Sequence, residues 1–370
     1  MKVLVTGGAG FIGSHTVDLL LAEGHTVRVL DALLPPVHAE GRLPDYFPPQ
    51  AEFVRGDVRE RADWERALDG MEAVFLLAAY QDYLPDFSKF FHVNAVGTAL
   101  LYEIIVEKNL PIRKIVVASS QAVYGEGRYR CPRDGLQYPA ARPTRQLTAR
   151  QWEPLCPLCG LPLTPEGTPE ATVNPHNSYA MSKYAEEMIA LRLGERYGIP
   201  SVGMRYSIVQ GARQSFRNAY SGVLRIFAMQ MLSGERPIAY EDGLQLRDYV
   251  YVGDVARANL LALRDERADY RAFNVGGGQA ITVLEFAHIM AKAAGRPDLQ
   301  PLAPGEYRFG DTRHIVSDIS ALQALGWQPQ GSVERSVREY LAWASAQPDF
   351  RNYASEAREV MRQVGAVRGQ

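Results

Sequence analysis

The chain has 370 residues, of which 46% are hydrophobic and 22% charged, and a formal net charge of −2. That length holds two domains of ordinary size or one large α/β unit, and the composition is that of a globular protein. The near-neutral balance gives no reason to expect nucleic acid or an acidic membrane surface as a partner.

The chain opens Met1-Lys2-Val3-Leu4-Val5-Thr6-Gly7, an apolar run too short for a signal peptide and with no cleavage-type segment after it. The longest apolar stretch, around Ala73 to Tyr80, is strand-sized and far short of a membrane span. A cytoplasmic protein without a membrane partner is expected. Lys2 to Thr6 reads as a strand, Phe11 to Glu23 as a helix, and Thr26 to Leu30, Glu52 to Arg55 and Ala73 to Leu77 as strands. A long helix follows between Phe87 and Glu107, then a strand from Lys114 to Ser119, a helix from about Ser178 to Tyr197 and a strand from Ser201 to Tyr206. Alternation of this kind predicts a doubly wound parallel sheet covered by helices on both faces. Beyond Tyr206 it loosens into a smaller, mixed α/β region. One stretch breaks the rhythm: Glu126 to Pro175 holds nine of the 23 prolines and all three cysteines. It reads as an insertion in a loop of the sheet domain, and loops that long are functional or structured in their own right.

Thr6-Gly7-Gly8-Ala9-Gly10-Phe11-Ile12-Gly13 ends the first strand and opens the first helix. Gly7 allows a tight turn, Gly10 lets the backbone approach a pyrophosphate, and Gly13 lets the helix pack on the strand. The helix N-terminus, with Phe11 and Ile12, then faces the phosphates. Asp31 ends the second strand 18 residues after Gly13. A carboxylate there accepts hydrogen bonds from a ribose 2′-hydroxyl and repels a 2′-phosphate, so NAD is favoured over NADP. Arg28 is near enough in sequence to soften that preference, although as a strand residue it is expected to face solvent. The domain plan is therefore a Rossmann NAD-binding domain over 1–206, with the insertion at 126–175, and a mainly substrate-binding domain over 207–370, the chain partly interleaved.

Tyr179-Ala180-Met181-Ser182-Lys183 puts a tyrosine and a lysine about one turn apart on one helix face. A nearby ammonium stabilises a phenolate, which makes Tyr179 a candidate general base, with Lys183 also available to the nicotinamide ribose. The same spacing is common as a plain surface pair. Ala118-Ser119-Ser120-Gln121-Ala122-Val123-Tyr124-Gly125 lies at the carboxyl end of a strand, where ligands bind in such sheets. A serine there also caps turns.

The Gly-x-x-Gly-x-x-Gly spacing departs from the dehydrogenase fingerprint and resembles the extended short-chain dehydrogenase/reductase family, the sugar-nucleotide epimerases and dehydratases. The resemblance covers nearly the whole chain. It implies that Asp57 contacts adenine, that Val58, Leu77, Ala78, Ala79, Asn94 and Ser119 line the cofactor, and that Ser120 is the catalytic Ser/Thr beside Tyr179 and Lys183. It also implies that Arg247 in Arg247-Asp248-Tyr249 and Arg308 in Arg308-Phe309-Gly310 hold a substrate diphosphate, for which a planar guanidinium is suited. Gln121 and Arg213 join the expected substrate side, and Asn274 reads as structural. Ile208 stands where the family commonly has an Asn that contacts substrate or nicotinamide, and it cannot donate that bond.

Dehydratases of this type carry Asp-Glu where this chain has Gln121-Ala122, and the related decarboxylases carry a Glu at the second position. Gln and Ala cannot do that proton chemistry. What remains is oxidation by hydride transfer and re-reduction, the epimerase pattern; the resemblance implies a nucleotide-diphospho-hexose and epimerisation at C4, with a C2 epimerase as a lesser alternative. A one-way reductase or dehydrogenase would share the same residues. Relatives pair two helices per subunit, which implies a homodimer through Phe87 to Glu107 and Ser178 to Tyr197. The insertion, with Arg130-Cys131-Pro132 and Trp152…Cys156-Pro157-Leu158-Cys159-Gly160, resembles one found in the dTDP-L-rhamnose 4-epimerases, a subgroup of the family. Cys131, Cys156 and Cys159 are weak candidates for a metal; no metal is expected, and the segment should dock on the body with Trp152 and Leu155 as buried anchors.

Overall fold

The computed structural model describes residues 1–82, 85–218 and 222–369. Seven strands form one parallel sheet: β1 (Lys2–Thr6), β2 (Thr26–Asp31), β3 (Glu52–Arg55), β4 (Ala73–Leu76), β5 (Lys114–Ser120), β6 (Ser201–Tyr206) and β7 (Arg271–Val275). Their spatial order is β7-β6-β5-β4-β1-β2-β3, and every pairing is parallel. The order reverses between β1 and β4, which opens a crevice at their carboxyl ends.

Strand alternation assigns the two faces. Val3, Val5, Phe75, Val116 and Ala118 point to one side with Val17, Leu20 and Val255. Leu4, Val74, Leu76, Ile115 and Val117 point to the other with Trp64, Leu101, Ile105 and Ala190. The first face is covered by α1 (Phe11–Ala22) and α5 (Val252–Arg264). The second is covered by α2 (Arg61–Leu68), α3 (Phe87–Glu107) and α4 (Ser178–Tyr197). Both faces are buried, which is why these strands read as continuous apolar runs.

Within α3 the segment Phe91–Val96 is a π turn between α-helical stretches Phe87–Phe90 and Gly97–Glu107. At 21 residues with a mean hydropathy of 1.2, α3 is long and apolar enough to cross a membrane. It is a longer apolar stretch than Ala73 to Tyr80. Half of that window is buried inside the fold, as in the core helix of a globular protein.

The chain does not leave the sheet at Tyr206. It returns to add β7 at the edge, and α5 packs on α1, with Asn259 Nδ2 donating to Thr16 Oγ1 at 3.1 Å. Between these returns lies a smaller sheet of Ile208–Gln210, Leu246–Tyr251 and Ala280–Thr282. Helices Val223–Leu232, Val283–Ala293 and Val333–Ser345 pack on it around Phe227, Tyr249, Phe286 and Tyr340.

The insertion has structure of its own, a three-stranded sheet of Gly135–Gln137, Tyr129–Cys131 and Thr164–Pro165 with a short helix at Thr144–Thr148. Its attachment differs from expectation. Leu155 is 37% exposed and anchors nothing, while Trp152 leans on Tyr307 at a ring separation of 6.3 Å. The buried anchors are charged. Arg142 donates to Glu241 Oε1 and Oε2 at 2.8 and 3.0 Å, and Arg313 donates to Glu153 Oε1 at 2.6 Å and to Glu241 Oε2 and Asp242 Oδ1 at 2.8 Å each. A segment with few apolar residues docks through guanidinium forks that satisfy buried carboxylates.

A second buried knot joins the elements that frame the crevice. Arg205 of β6 makes a forked pair with Glu187 of α4, Nη2 to Oε1 at 2.6 Å and Nε to Oε2 at 2.8 Å. Both side chains are at most 5% exposed. Ser119 Oγ donates to the same carboxylate at 2.6 Å, and Arg205 Nη1 donates to Tyr124 Oη at 2.9 Å and to the Glu170 carbonyl at 2.7 Å. Arg205→Met leaves Glu187 buried without its cation. A loss of about 3–5 kcal/mol is expected from urea denaturation, with much of it recovered by Arg205→Met/Glu187→Met. A loss below about 1 kcal/mol for the single variant would show that the pair does not carry this weight.

Candidate active site and cofactor crevice

The glycine turn has the shape its spacing implies. Gly7 has φ +65°, and a Cβ there would sit 2.8 Å from Ala78 N and Cα. A Cβ on Gly13 would meet the Gly7 carbonyl oxygen at 2.1 Å, so only glycine lets α1 close on β1. Gly10 precedes α1 with no side chain capping the helix and no acid in its first turn, so its N-terminal N–H groups face the crevice unopposed by negative charge.

Asp31 Oδ2 accepts from Ala9 N at 3.1 Å and Oδ1 from Leu33 N at 2.9 Å, which sets the carboxylate beside the glycine turn. It keeps lone pairs for ribose hydroxyls. This donor and acceptor set fits NAD: helix N–H groups for the pyrophosphate, a carboxylate for the ribose. Arg28 plays no part in it. Its guanidinium caps the end of α2, donating to the Ala67 and Asp69 carbonyls at 3.0 and 2.8 Å and to Glu52 Oε2 at 2.8 Å.

On the far side of the crevice, Thr6 Oγ1 accepts from Leu77 N and Ala78 N at 3.1 Å each. Asn94, in the π turn, is fully engaged: Oδ1 accepts from Tyr80 N at 2.8 Å, and Nδ2 donates to the Tyr80 carbonyl at 3.1 Å and to Ser182 Oγ at 2.9 Å. It positions the 77–80 loop against α4. π turns of this kind recur at functional sites. Asp57 is held by a chelating Arg59, with Nη2 to Oδ2 at 2.6 Å, and Val58 offers its carbonyl to Trp64 Nε1 at 2.7 Å. Ala79 lies between Ala78, whose N–H Thr6 accepts, and Tyr80, which Asn94 holds. Ser119, expected to line the cofactor, has its hydroxyl turned to Glu187 instead.

Ser120 closes β5 and caps the 3₁₀ turn Gln121–Tyr124, its Oγ accepting from Ala122 N at 3.2 Å. The turn-capping and catalytic readings of this serine are therefore compatible, because its own O–H remains a donor. Tyr179 stands in the first turn of α4, whose N-cap Asn177 accepts from Ala180 N at 2.9 Å, and its ring packs on Phe90 at 6.5 Å. Lys183, one turn on, is 1% exposed and pairs with Glu186.

Sequence reasoning missed Glu186. It is fully buried, its Oε1 has no hydrogen-bond partner, and burial pushes its carboxyl up to about 7 against the pull of Lys183. No motif marks it; a run of two glutamates on an amphipathic helix reads as a solvated face.

On the substrate side, Arg247 is oriented by backbone carbonyls, with Nη1 donating to Leu246 and Arg313 at 2.9 and 2.8 Å and Nη2 to Thr312 at 3.1 Å. Arg308 is buried with its guanidinium 4.9 Å from the Tyr240 ring centroid. Arg308 lies within the 306–314 strap, and Arg247 is bonded to it through Thr312 and Arg313. Arg213 departs from expectation: with its backbone at φ +70° it reaches back to Asp18 Oδ2 at 2.6 Å and lies over Tyr46. Tyr46 Oη in turn donates to the Ala9 carbonyl at 2.9 Å, which links Arg213 to the glycine turn. Gln121 is half-buried beside Ser120, and Asn274 ties Tyr124 Oη at 2.6 Å to the Thr168 and Asp318 carbonyls at 2.9 Å each, a structural post as read.

A glycine turn and a ribose-type carboxylate at a switch-point crevice, with Ser120, Tyr179 and Lys183 on the adjoining β5 and α4, fit a dinucleotide-dependent α/β enzyme. The model of the NAD dependent epimerase/dehydratase family matches residues 3–146 and 159–276. Among similar proteins are the dTDP-L-rhamnose 4-epimerase of Burkholderia thailandensis, 34% identical over 95% of this chain and 97% of that one, and a putative UDP-glucose 4-epimerase of Methanocaldococcus jannaschii, 33% identical over 92% and 97%. The UDP-glucose 4-epimerase of Thermotoga maritima, solved with UDP-glucose, superposes with a TM-score of 0.76 at 29% identity, covering 93% of this chain and 98% of that one. The Thermus thermophilus UDP-glucose 4-epimerase in complex with NAD gives 0.72 at 32% identity and the same coverage. The chain belongs to the NAD dependent epimerase/dehydratase family.

Glu186 makes stability depend on pH in a defined direction. Its folded value of about 7 lies above its ordinary 4.5. The folded state therefore binds its proton more tightly, and stability falls as pH rises between those values. Urea midpoints should decline across this window in the native chain, and Glu186→Gln should flatten the decline. Parallel curves for the two proteins would overturn the assignment.

Proposed function

We propose that the protein interconverts nucleotide-diphospho-hexoses epimeric at C4, with Tyr179 as the proton-transfer group. The observation that supports this reading is the packing of α4, which opens with Tyr179 and Lys183, against β5, which ends in Ser120, beside a turn that offers Gln121 and Ala122 where an eliminating enzyme needs acids. Bound NAD supplies the acceptor and donor for the hydrogen at C4. Tyr179 takes the C4 hydroxyl proton, with Lys183 one turn on along the same helix. Ser120 donates its O–H to the C4 oxygen as that oxygen becomes a carbonyl. Arg247 and Arg308 hold the diphosphate while the 4-keto sugar turns its other face, and Tyr179 returns the proton. Oxidation and re-reduction at C4 cancel, so a turnover would consume no added nicotinamide.

For the sugar, the favoured reading is dTDP-L-rhamnose and its 6-deoxy-talose epimer, supported by the Burkholderia relative over 95% of the chain. A UDP-glucose/galactose pair is the second reading, supported by the Thermotoga and Thermus structures. The assembly in this reading is a homodimer through α3 and α4, because Val96 and Met181 lie 53% and 43% exposed on those helices while the opposite sides are buried.

Three outcomes are expected. Epimerisation of dTDP- or UDP-hexoses, followed by NMR, proceeds without added nicotinamide; a requirement for stoichiometric NAD(P)H would favour a one-way reductase. Tyr179→Phe lowers turnover by roughly 10²-fold or more while NAD stays bound, and near-normal turnover would remove Tyr179 from its role. Light scattering at micromolar concentration gives twice the chain mass, and a monomer would count against the helical interface.

A further inference from the structure

Two turns of the insertion share one five-residue pattern. They read Cys131-Pro132-Arg133-Asp134-Gly135 and Cys156-Pro157-Leu158-Cys159-Gly160. In each, a donor atom is followed by proline, a variable residue, a second donor and glycine. Both glycines lie in the left-handed region, at φ 74° and 75°. That conformation reverses the chain directly after the second donor and leaves both donors of the turn on its inner side. Cys131 and Gly135 close the first turn as an antiparallel pair. The bridge Leu155–Pro162 and the bond from Gly160 N to the Cys156 carbonyl at 2.8 Å close the second.

The two turns face each other. Three sulfurs and one Asp134 carboxylate oxygen all lie within 4.8 Å of one another. Cys131 Sγ is 3.5 Å from Cys159 Sγ and 3.5 Å from Asp134 Oδ2, and Cys156 Sγ is 3.2 Å from that oxygen. Metal–sulfur bonds of about 2.3 Å at tetrahedral angles put neighbouring donors about 3.8 Å apart. The four atoms therefore have the spacing of one tetrahedral shell. A disulfide needs sulfurs at about 2.05 Å and would use only two of the three cysteines. Cys131 and Cys156 are buried with Tyr129 and Leu163, an apolar shell around a soft donor set.

We infer that the insertion is built around a tetrahedral zinc ion held by Cys131, Cys156, Cys159 and Asp134. Binding releases the three thiol protons to solvent and changes no oxidation state. All four positions are protein ligands, so the ion is structural rather than catalytic. Its consequence reaches the crevice. Glu153, three residues before Cys156, accepts from Arg313 at 2.6 Å and from His314 at 2.8 Å. Fixing the second turn fixes the register in which the insertion grips the 306–314 strap. The inference is independent of which sugar the enzyme uses.

The test is metal content of the full-length protein, purified in reductant without chelator. About one zinc per chain is expected by mass spectrometry of the metal. After stripping, the reduced chain should take up Co²⁺ with the intense visible bands of a tetrahedral thiolate site. Cys159→Ser and Asp134→Ala should lose the zinc while retaining NAD, and Asp134→Cys should hold it longer against a chelator. A native chain that carries no zinc and binds neither Zn²⁺ nor Co²⁺ when reduced overturns the inference. So does full zinc retention by both loss variants. Should the variants fail to fold, the native zinc content and cobalt spectrum decide alone.

Discussion

The forked pair between Arg205 and Glu187 is the constraint on which the catalytic frame depends. Two charges taken out of water are tolerated only where every hydrogen-bonding position is satisfied. Here the guanidinium is spent on Glu187, Tyr124 Oη and the Glu170 carbonyl, and the carboxylate also takes Ser119. Those partners sit on β5, on the turn after it, on the return of the insertion, on α4 and on β6. The pair thereby ties the strand that ends in Ser120 to the helix that begins with Tyr179.

The cofactor crevice is assembled by the same logic in backbone terms. Sheet topology parts the strands at β1 and β4; Thr6 collects the N–H groups of Leu77 and Ala78, Asp31 that of Ala9 and Asn94 that of Tyr80, while the first N–H groups of α1 are left for a ligand. Asn94 serves two elements at once, the 77–80 loop and Ser182 of α4, one residue before Lys183. The 77–80 loop and the helix that carries Tyr179 and Lys183 are thereby held in one frame, as the proposed proton transfer requires.

The insertion stands on a different physical basis from the rest of the fold. It lacks the apolar residues to bury a core of its own beyond Tyr129, Cys131, Cys156 and Leu163. Its docking is carried by Arg142, Glu153, Glu241 and Arg313, whose charges are nearly all matched within the interface. Burial works against the Glu153 charge, but hydrogen bonds from His314 and Arg313 hold the carboxyl down to about 2. A charged interface of this kind specifies register more sharply than an apolar one, because a slip of one residue strands an ion.

The sequence by itself determined what depends on near neighbours. Strand and helix periods, the Gly7, Gly10 and Gly13 turn, Asp31 at the end of β2 and the four-residue step from Tyr179 to Lys183 are all set within one turn or one strand, and the structure has them at those places. Only the tertiary structure decided which polar side chains are spent on one another. Ser119 is taken by Glu187, 68 residues away, and Arg213 by Asp18, 195 residues away. Arg313 meets Glu153 across 160 residues. A short pattern carries the identity of a charged side chain but not the desolvation it will suffer or the partner that will answer it. That is why the expected anchors Trp152 and Leu155 gave way to buried arginines, and why Glu186 became visible only once the fold had closed over it.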